Sequence, residues 1–307
     1  MTRLRLGTRG SLLARTQSGH VADALVAAHP GLEIETVIIR TRGDEITDVP
    51  LVAVGGKGLF VKEIEQALAD GGIDLAVHSM KDMPAGVPKG LVIGATPRRE
   101  DPRDALIGAG GKSLAALPHG ATIGTSSVRR SCQLRAQRPD LQFQPLRGNV
   151  DTRLRKLQDG QVDAIILAAA GLRRLGREAE ITELLEPELC LPAIGQGILA
   201  IEVREGDART RELVAVLDDP EAARAAAAER AFLETLGGDC QTPLCAHARA
   251  VSGAFRIDGF VASLDGTRIL RDAAVTPPDV DAAATRAMGQ ALAERLLAAG
   301  AGELLAR

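Results

Sequence analysis

Aromatic residues are almost missing: 307 residues include five phenylalanines and neither tryptophan nor tyrosine. Cores have to be filled by Leu, Val, Ile and Ala, and the stacking platforms that bind single-stranded nucleic acid are excluded. A basic excess is missing too, since 37 Lys and Arg stand against 40 Asp and Glu, a formal net charge of -3. A general nucleic-acid coat needs the opposite balance, so any anion site has to be local. No apolar run approaches the roughly 18 residues of a membrane span. Met1-Thr2-Arg3-Leu4-Arg5-Leu6 carries charge where a signal peptide needs an apolar stretch. These absences lead to the expectation of a cytoplasmic protein with neither a nucleic-acid nor a membrane partner. Cysteine is scarce, and Cys132, Cys190, Cys240 and Cys245 suit reduced thiols better than a disulfide frame. Cys132, Cys190 and Cys245 read as small packing hydrophobes. No second Cys-x-x-Cys pair accompanies Cys240, Cys245 and His247, so no metal site is expected.

What is present is a hydrophobic content of 45%, in a chain long enough for about two or three domains. Residues 4–8 read as a strand, followed by a helix that Ser11 opens and His29-Pro30-Gly31 stops. Residues 121–124, then Thr125-Ser126-Ser127 and a helix through Leu134, repeat that plan. A second echo pairs Leu68-Ala69-Asp70-Gly71-Gly72-Ile73-Asp74 with Leu157-Gln158-Asp159-Gly160-Gln161-Val162-Asp163. Two echoes in the same order suggest two similarly built α/β units. Between them, 97–104 is charged and punctuated by proline, which suits a crossing linker. Beyond Asp218-Asp219-Pro220 come an alanine-rich helix over 221–236, strands over 254–262 and 268–275 around an Asp265-Gly266 turn, and a helix over 280–299 with Met288, Leu292 and Leu296 on one face. That is a small α+β domain.

Helix starts present unpaired N–H groups, so Ser11 and Ser126-Ser127 mark carboxylate or phosphate sites, although ordinary capping explains a serine equally well. The company favours an anion: Arg9 precedes the first, and Arg129 and Arg130 follow the second. From 129 to 156 there are eight basic residues against two acidic ones, Asp140 and Asp151. Arginine binds carboxylate bidentately, which suits a substrate with several carboxylates. Arg147-Gly148-Asn149 lies in a turn where side chain and backbone both reach a ligand. Gly55-Gly56-Lys57-Gly58 is no P-loop, because glycine stands where the metal-binding hydroxyl belongs; it reads as a glycine loop bringing Lys57 to an anion. Asp82 follows Lys81 beyond a strand over 75–77, where open α/β sheets gather ligands; the alternative is a surface pair capping a turn before Pro84. His78 reads as a hydrogen-bonded structural histidine. Cys240 follows a helix C-terminus and Asp239, both of which disfavour a thiolate. Such a thiol needs a strongly activated electrophile.

The loop Gly237-Gly238-Asp239-Cys240-Gln241-Thr242-Pro243, the segment His78-Ser79-Met80-Lys81-Asp82, Gly124-Thr125-Ser126-Ser127 with Arg129-Arg130, Leu146-Arg147-Gly148-Asn149 and Pro192-Ala193-Ile194-Gly195-Gln196-Gly197 together resemble the hydroxymethylbilane synthases over nearly the whole chain. The resemblance implies two similar lobes like those of periplasmic binding proteins, joined by a double-strand hinge, plus a small α+β C-terminal domain. The implied domains are 1–97 with 198–216, 103–192, and 220–307. It implies a dipyrromethane cofactor bound covalently through Cys240, onto which four porphobilinogen molecules are joined with loss of ammonia, and from which water releases 1-hydroxymethylbilane. Asp82 is the implied catalytic carboxylate. Lys81, Asp82, Thr125, Ser126, Ser127, Arg129 and Arg130 are implied to hold the cofactor; Arg9, Ser11, Gln17, Lys57, Arg147, Arg153 and Arg174 are implied to meet substrate or the growing chain. Some relatives have lysine where this chain has Ala53, which puts the glycine loop's basic contribution in doubt. A monomer is the family expectation. A binding or effector-sensing module on the same two lobes is the alternative, and nothing in it requires Cys240.

Overall fold

The computed structural model describes residues 2–45, 61–238 and 242–305. Their contacts divide the chain into two units, Met1–Glu100 with Ile198–Ala226 and Asp101–Gly197 with Ala227–Arg307. Among the described residues no helix is long and apolar enough to cross a membrane.

In the first unit β1 (Thr2–Thr8), β2 (Leu32–Ile38) and β3 (Leu75–Ser79) run parallel. With β4 (Leu91–Ala95) and β10 (Leu199–Arg204) they form a sheet in the order β2-β1-β3-β10-β4. The chain's return is made by β10, which is antiparallel to both neighbours and sets Ala200 opposite His78. Strand β3 is apolar on both faces because a helix covers each one. Leu75 and Val77 pack with Val21 and Leu25 of the helix Leu12–Ala28. Ala76 packs with Ile64 and Leu68 of the helix Lys62–Ala69.

The second unit repeats the plan with β5 (Asp104–Gly108), β6 (Thr122–Gly124), β7 (Gln142–Gln144), β8 (Ala164–Ala168) and β9 (Glu183–Leu185), in the order β7-β6-β8-β5-β9. Here β6 takes the place of β1, β8 that of β3, and antiparallel β5 that of β10. Both sequence echoes are structural. Gly71 and Gly160 turn the chain at φ 70° and 71°, where only glycine is unstrained. Asp74 Oδ2 accepts the Arg5 N–H at 2.8 Å, and Asp163 Oδ2 accepts the Thr122 N–H at 2.8 Å, so each carboxylate pins the first parallel strand of its sheet.

The expected linker 97–104 needs one correction: Asp104 is the fully buried first residue of β5. Further along, the helix Pro220–Leu236 ends where Gly237 takes φ 71° and donates its N–H to the Leu233 carbonyl. The C-terminal sheet has a strand beyond the expected two, β11 (Leu244–Val251), before β12 (Ala254–Ala262) and β13 (Ile269–Thr276). Composition hides it, because Leu-Cys-Ala-His-Ala-Arg-Ala-Val has one β-branched residue, at its very end, and no Phe, Tyr or Trp. It is held instead by pairing with β12 along its length and by burial of Cys245, Ala246 and Ala248. The helix Ala282–Ala298 buries Met288, Leu292 and Leu296, as its spacing predicts.

Candidate active site

In each unit the described residues expected to bind a ligand follow the carboxyl ends of its parallel strands in the chain, where loops of an open sheet are free to carry function. In the first unit β1 ends at Thr8 and is followed by Arg9 and Ser11. Ser11 caps the helix Leu12–Ala28, its hydroxyl accepting the Ala14 N–H at 3.3 Å. Strand β3 runs on to Ser79, further than the sequence suggests, and Met80–Asp82 then form a single 3-10 turn that leaves Asp82 exposed. Gln17 is buried and exchanges hydrogen bonds with the Ser79 hydroxyl at 3.1 and 3.2 Å, tying the first helix to the root of the Lys81-Asp82 turn. His78 is structural as expected: its Nε2 lies 3.1 Å from Glu202 Oε2, both residues buried.

In the second unit Thr125, Ser126 and Ser127 follow β6. The Thr125 N–H bonds the Gln144 carbonyl, and the Ser126 hydroxyl donates to the Leu146 carbonyl at 3.1 Å, so this turn is stitched to the segment carrying Arg147. Ser127 caps the helix Val128–Gln137 through its backbone carbonyl, while its side chain makes no capping bond. Gly148 takes φ 115°, and a Cβ there would lie 2.6 Å from Thr152 Cγ2. Only glycine makes this turn, whose carbonyl accepts from Arg153 Nε at 2.8 Å. Beyond β8, Arg174 Nη2 donates to the Gly197 carbonyl at 2.7 Å.

Asp104, which the sequence reading leaves in a linker, is the hub of this edge. Its Oδ2 accepts from Arg129 Nη1 at 2.6 Å, and its Oδ1 from Arg130 Nε and Nη2 at 3.0 and 2.7 Å. Gln196 Nε2 adds a bond to Oδ1 at 3.0 Å and one to the Pro102 carbonyl at 2.6 Å. Burial alone would raise the Asp104 carboxyl, but the two guanidinium groups outweigh it and hold the acid far below the usual carboxylate range. The Cys190 thiol, 3.4 Å from Asp104 Oδ2, is pushed up to about 12 by burial and by that carboxylate. Burial also raises Cys245. All three cysteines that the structure describes are buried and unpaired. The signal for Asp104 was a carboxylate at the mouth of the apolar run Ala105-Leu106-Ile107. Cys240 and Lys57, with Ala53, lie outside the described residues.

Chemically, the first edge offers an exposed carboxylate beside a lysine, and the second offers buried guanidinium groups with hydroxyls, a set suited to binding carboxylates. The comparisons give that chemistry a family. A model described as "Porphobilinogen deaminase, dipyromethane cofactor binding domain" matches residues 4–212, and one described as "Porphobilinogen deaminase, C-terminal domain" matches 223–298. The porphobilinogen deaminase of Roseiflexus castenholzii is 53% identical over 305 residues, covering 99% of this chain and 98% of the relative. That of Syntrophotalea carbinolica is 54% identical over 303 residues, covering 99% and 95%. Among solved structures, the methionine binding protein MetQ matches 70% of this chain and 89% of its own at 14% identity, with a TM-score of 0.43. The chain belongs to the porphobilinogen deaminase family.

Proposed function

We propose that this chain joins four porphobilinogen molecules head to tail, releasing ammonia at each addition, and frees the linear 1-hydroxymethylbilane by hydrolysis. Asp82 is the catalytic carboxylate. Its charge stabilises the cation left on a substrate pyrrole when the protonated aminomethyl amine departs, and its oxygens accept and return the protons exchanged in each addition. Dipyrromethane, held through a thioether to Cys240, supplies the pyrrole carbon at which joining starts and fixes the starting length.

The donor chemistry fits that group. A pair of pyrroles bearing acetate and propionate side chains needs cations and hydroxyls, and Arg129 and Arg130 bring two positive charges against the single negative charge of Asp104. This excess is the observation that carries the assignment of the site. Lys81, Thr125, Ser126, Ser127 and the Arg129-Arg130 pair serve the cofactor carboxylates. Arg9, Ser11, Gln17, Lys57, Arg147, Arg153 and Arg174 serve the substrate and the lengthening chain. We further propose three domains, 1–97 with 198–216, 103–192, and 220–307, in a cytoplasmic monomer.

The test is Asp82→Asn assayed with porphobilinogen. A fall in kcat of about a hundredfold or more, with the cofactor adduct still present by mass, is expected. Turnover near the parent value would remove Asp82 from the chemistry.

A further inference from the structure

Glu229 is fully buried although it is an acid, in the stretch of the helix Pro220–Leu236 that belongs to the second unit. Its two oxygens serve two different segments. Oε1 accepts the Ala248 N–H of β11 at 2.8 Å, and Oε2 accepts the Gly195 N–H at 2.6 Å. The helix and β11 are the two stems of residues 237–243, the segment that carries Cys240. Nothing in the proposed chemistry uses this carboxylate.

The Gly195 end leads to a residue assigned to the substrate. Residues 194–197 are buried, and Gly195 and Gly197 take φ 68° and 87°, a backbone that glycine adopts without strain. Three successive residues tie this turn down. Glu229 takes the Gly195 N–H, Gln196 Nε2 reaches Asp104 Oδ1 and the Pro102 carbonyl, and the Gly197 carbonyl accepts from Arg174 Nη2 at 2.7 Å. Arg174 is the last residue of the helix Ala169–Arg174. An arginine side chain has many rotamers, and the bond to Gly197 restricts them.

We propose that Glu229 is a positioning residue for substrate binding: it holds the turn 195–197 in register with both stems of the Cys240 segment, so that the Gly197 carbonyl presents Arg174 to a carboxylate of porphobilinogen. A carboxylate suits the place because both oxygens face N–H donors. Glutamine has one oxygen, and its NH2 group would face one of those donors. A buried N–H without an acceptor is costly, and the turn relieves the cost by moving. The inference rests on the proposed function, in which Arg174 serves the substrate, and extends it to a residue that acts through another.

The test uses full-length protein and reads KM and kcat for porphobilinogen per chain carrying the two-pyrrole adduct by intact mass, which separates substrate binding from cofactor loading. Glu229→Gln is expected to raise KM about tenfold with kcat within about threefold of the parent, and Arg174→Gln to do the same. The double variant is expected to stay within about twofold of Arg174→Gln alone, because the two residues act along one path. Independent effects would multiply to about a hundredfold, and that result overturns the proposal. An unchanged KM in either single variant overturns it too, since a merely structural Glu229 lowers the thermal midpoint and leaves KM alone. If Glu229→Gln does not fold, as judged by circular dichroism, Gly197→Ala takes its place in the cycle. Strained at φ 87°, it shifts the carbonyl that holds Arg174; a KM rise shared with Arg174→Gln is expected, and independent effects again overturn the proposal. A loaded parent that does not turn over porphobilinogen would instead contradict the proposed function itself.

Discussion

His78 and Glu202 meet at 3.1 Å on neighbouring antiparallel strands, out of reach of water, four residues before Asp82. Side chains alternate along a strand, so both lie on the face of Ala76, beneath the helix Lys62–Ala69. His78→Ala strands Glu202 Oε2 in the core and opens a cavity, for an expected loss of about 2–4 kcal/mol. Glu202→Gln still accepts from the ring and is expected to lose less than about 1 kcal/mol. Urea unfolding measures both, and equal losses would show that the hydrogen bond is not what holds the root of the Asp82 turn.

Glu65 shares that face, and both its Oε1 and that of Glu202 are buried without a hydrogen-bond partner among the described residues. Burial first, and the Glu202 charge second, raise its acid above the ordinary 4.5, with His78 and Lys62 pulling the other way. Between 4.5 and the raised value the folded chain keeps a proton that the unfolded chain has released. The stability this contributes is full below 4.5 and is lost as pH rises through the raised value. Glu65→Gln cannot ionise, so its thermal midpoint is expected to gain on the parent between about pH 4 and about pH 8. A constant difference across that range contradicts the assignment.

Asp74 behaves in the opposite sense. Burial works to raise its acid, but hydrogen bonds from Arg5 and Arg204 outweigh it and hold the carboxyl below 3.8. Its stabilisation is present above 3.8 and is lost as pH falls through the lowered value. At neutral pH Asp74→Asn is expected to lose about 1–3 kcal/mol. Its counterpart Asp163 accepts the Thr122 N–H and has no arginine bonded to it among the described residues, so Asp163→Asn is expected to lose less. Denaturation of the two variants at neutral and acid pH compares them.

Gly148→Ala meets both a φ of 115° and Thr152 at 2.6 Å. The turn has to open, moving Arg147 and the carbonyl that orients Arg153. KM for porphobilinogen is expected to rise about tenfold or more with a smaller change in kcat, the mark of lost substrate binding. A fall in kcat alone would place this turn outside substrate recognition.

Much of the scaffold was legible because it is periodic and repeated. The echo around Asp74 and Asp163 forecast two matching sheets, and the spacing of Met288, Leu292 and Leu296 forecast the last helix. Strand β11 was hidden because small residues become strand only through pairing and burial, which local propensity does not carry. Asp104 was hidden for a related reason. Its neighbours Pro102 and Arg103 look like linker, and its partners lie 25, 26 and 92 residues away in sequence. Such long-range pairing leaves no local pattern. The arginines themselves were legible, whereas their unequal engagement with Asp104 required coordinates.

The covalent cofactor at Cys240 is tested most directly by the mass of the intact purified protein beside that of Cys240→Ser, with an acid colour test for pyrroles. An adduct of two pyrrole units is expected on the parent and none on the variant. An unmodified parent that stays inactive with porphobilinogen would contradict it.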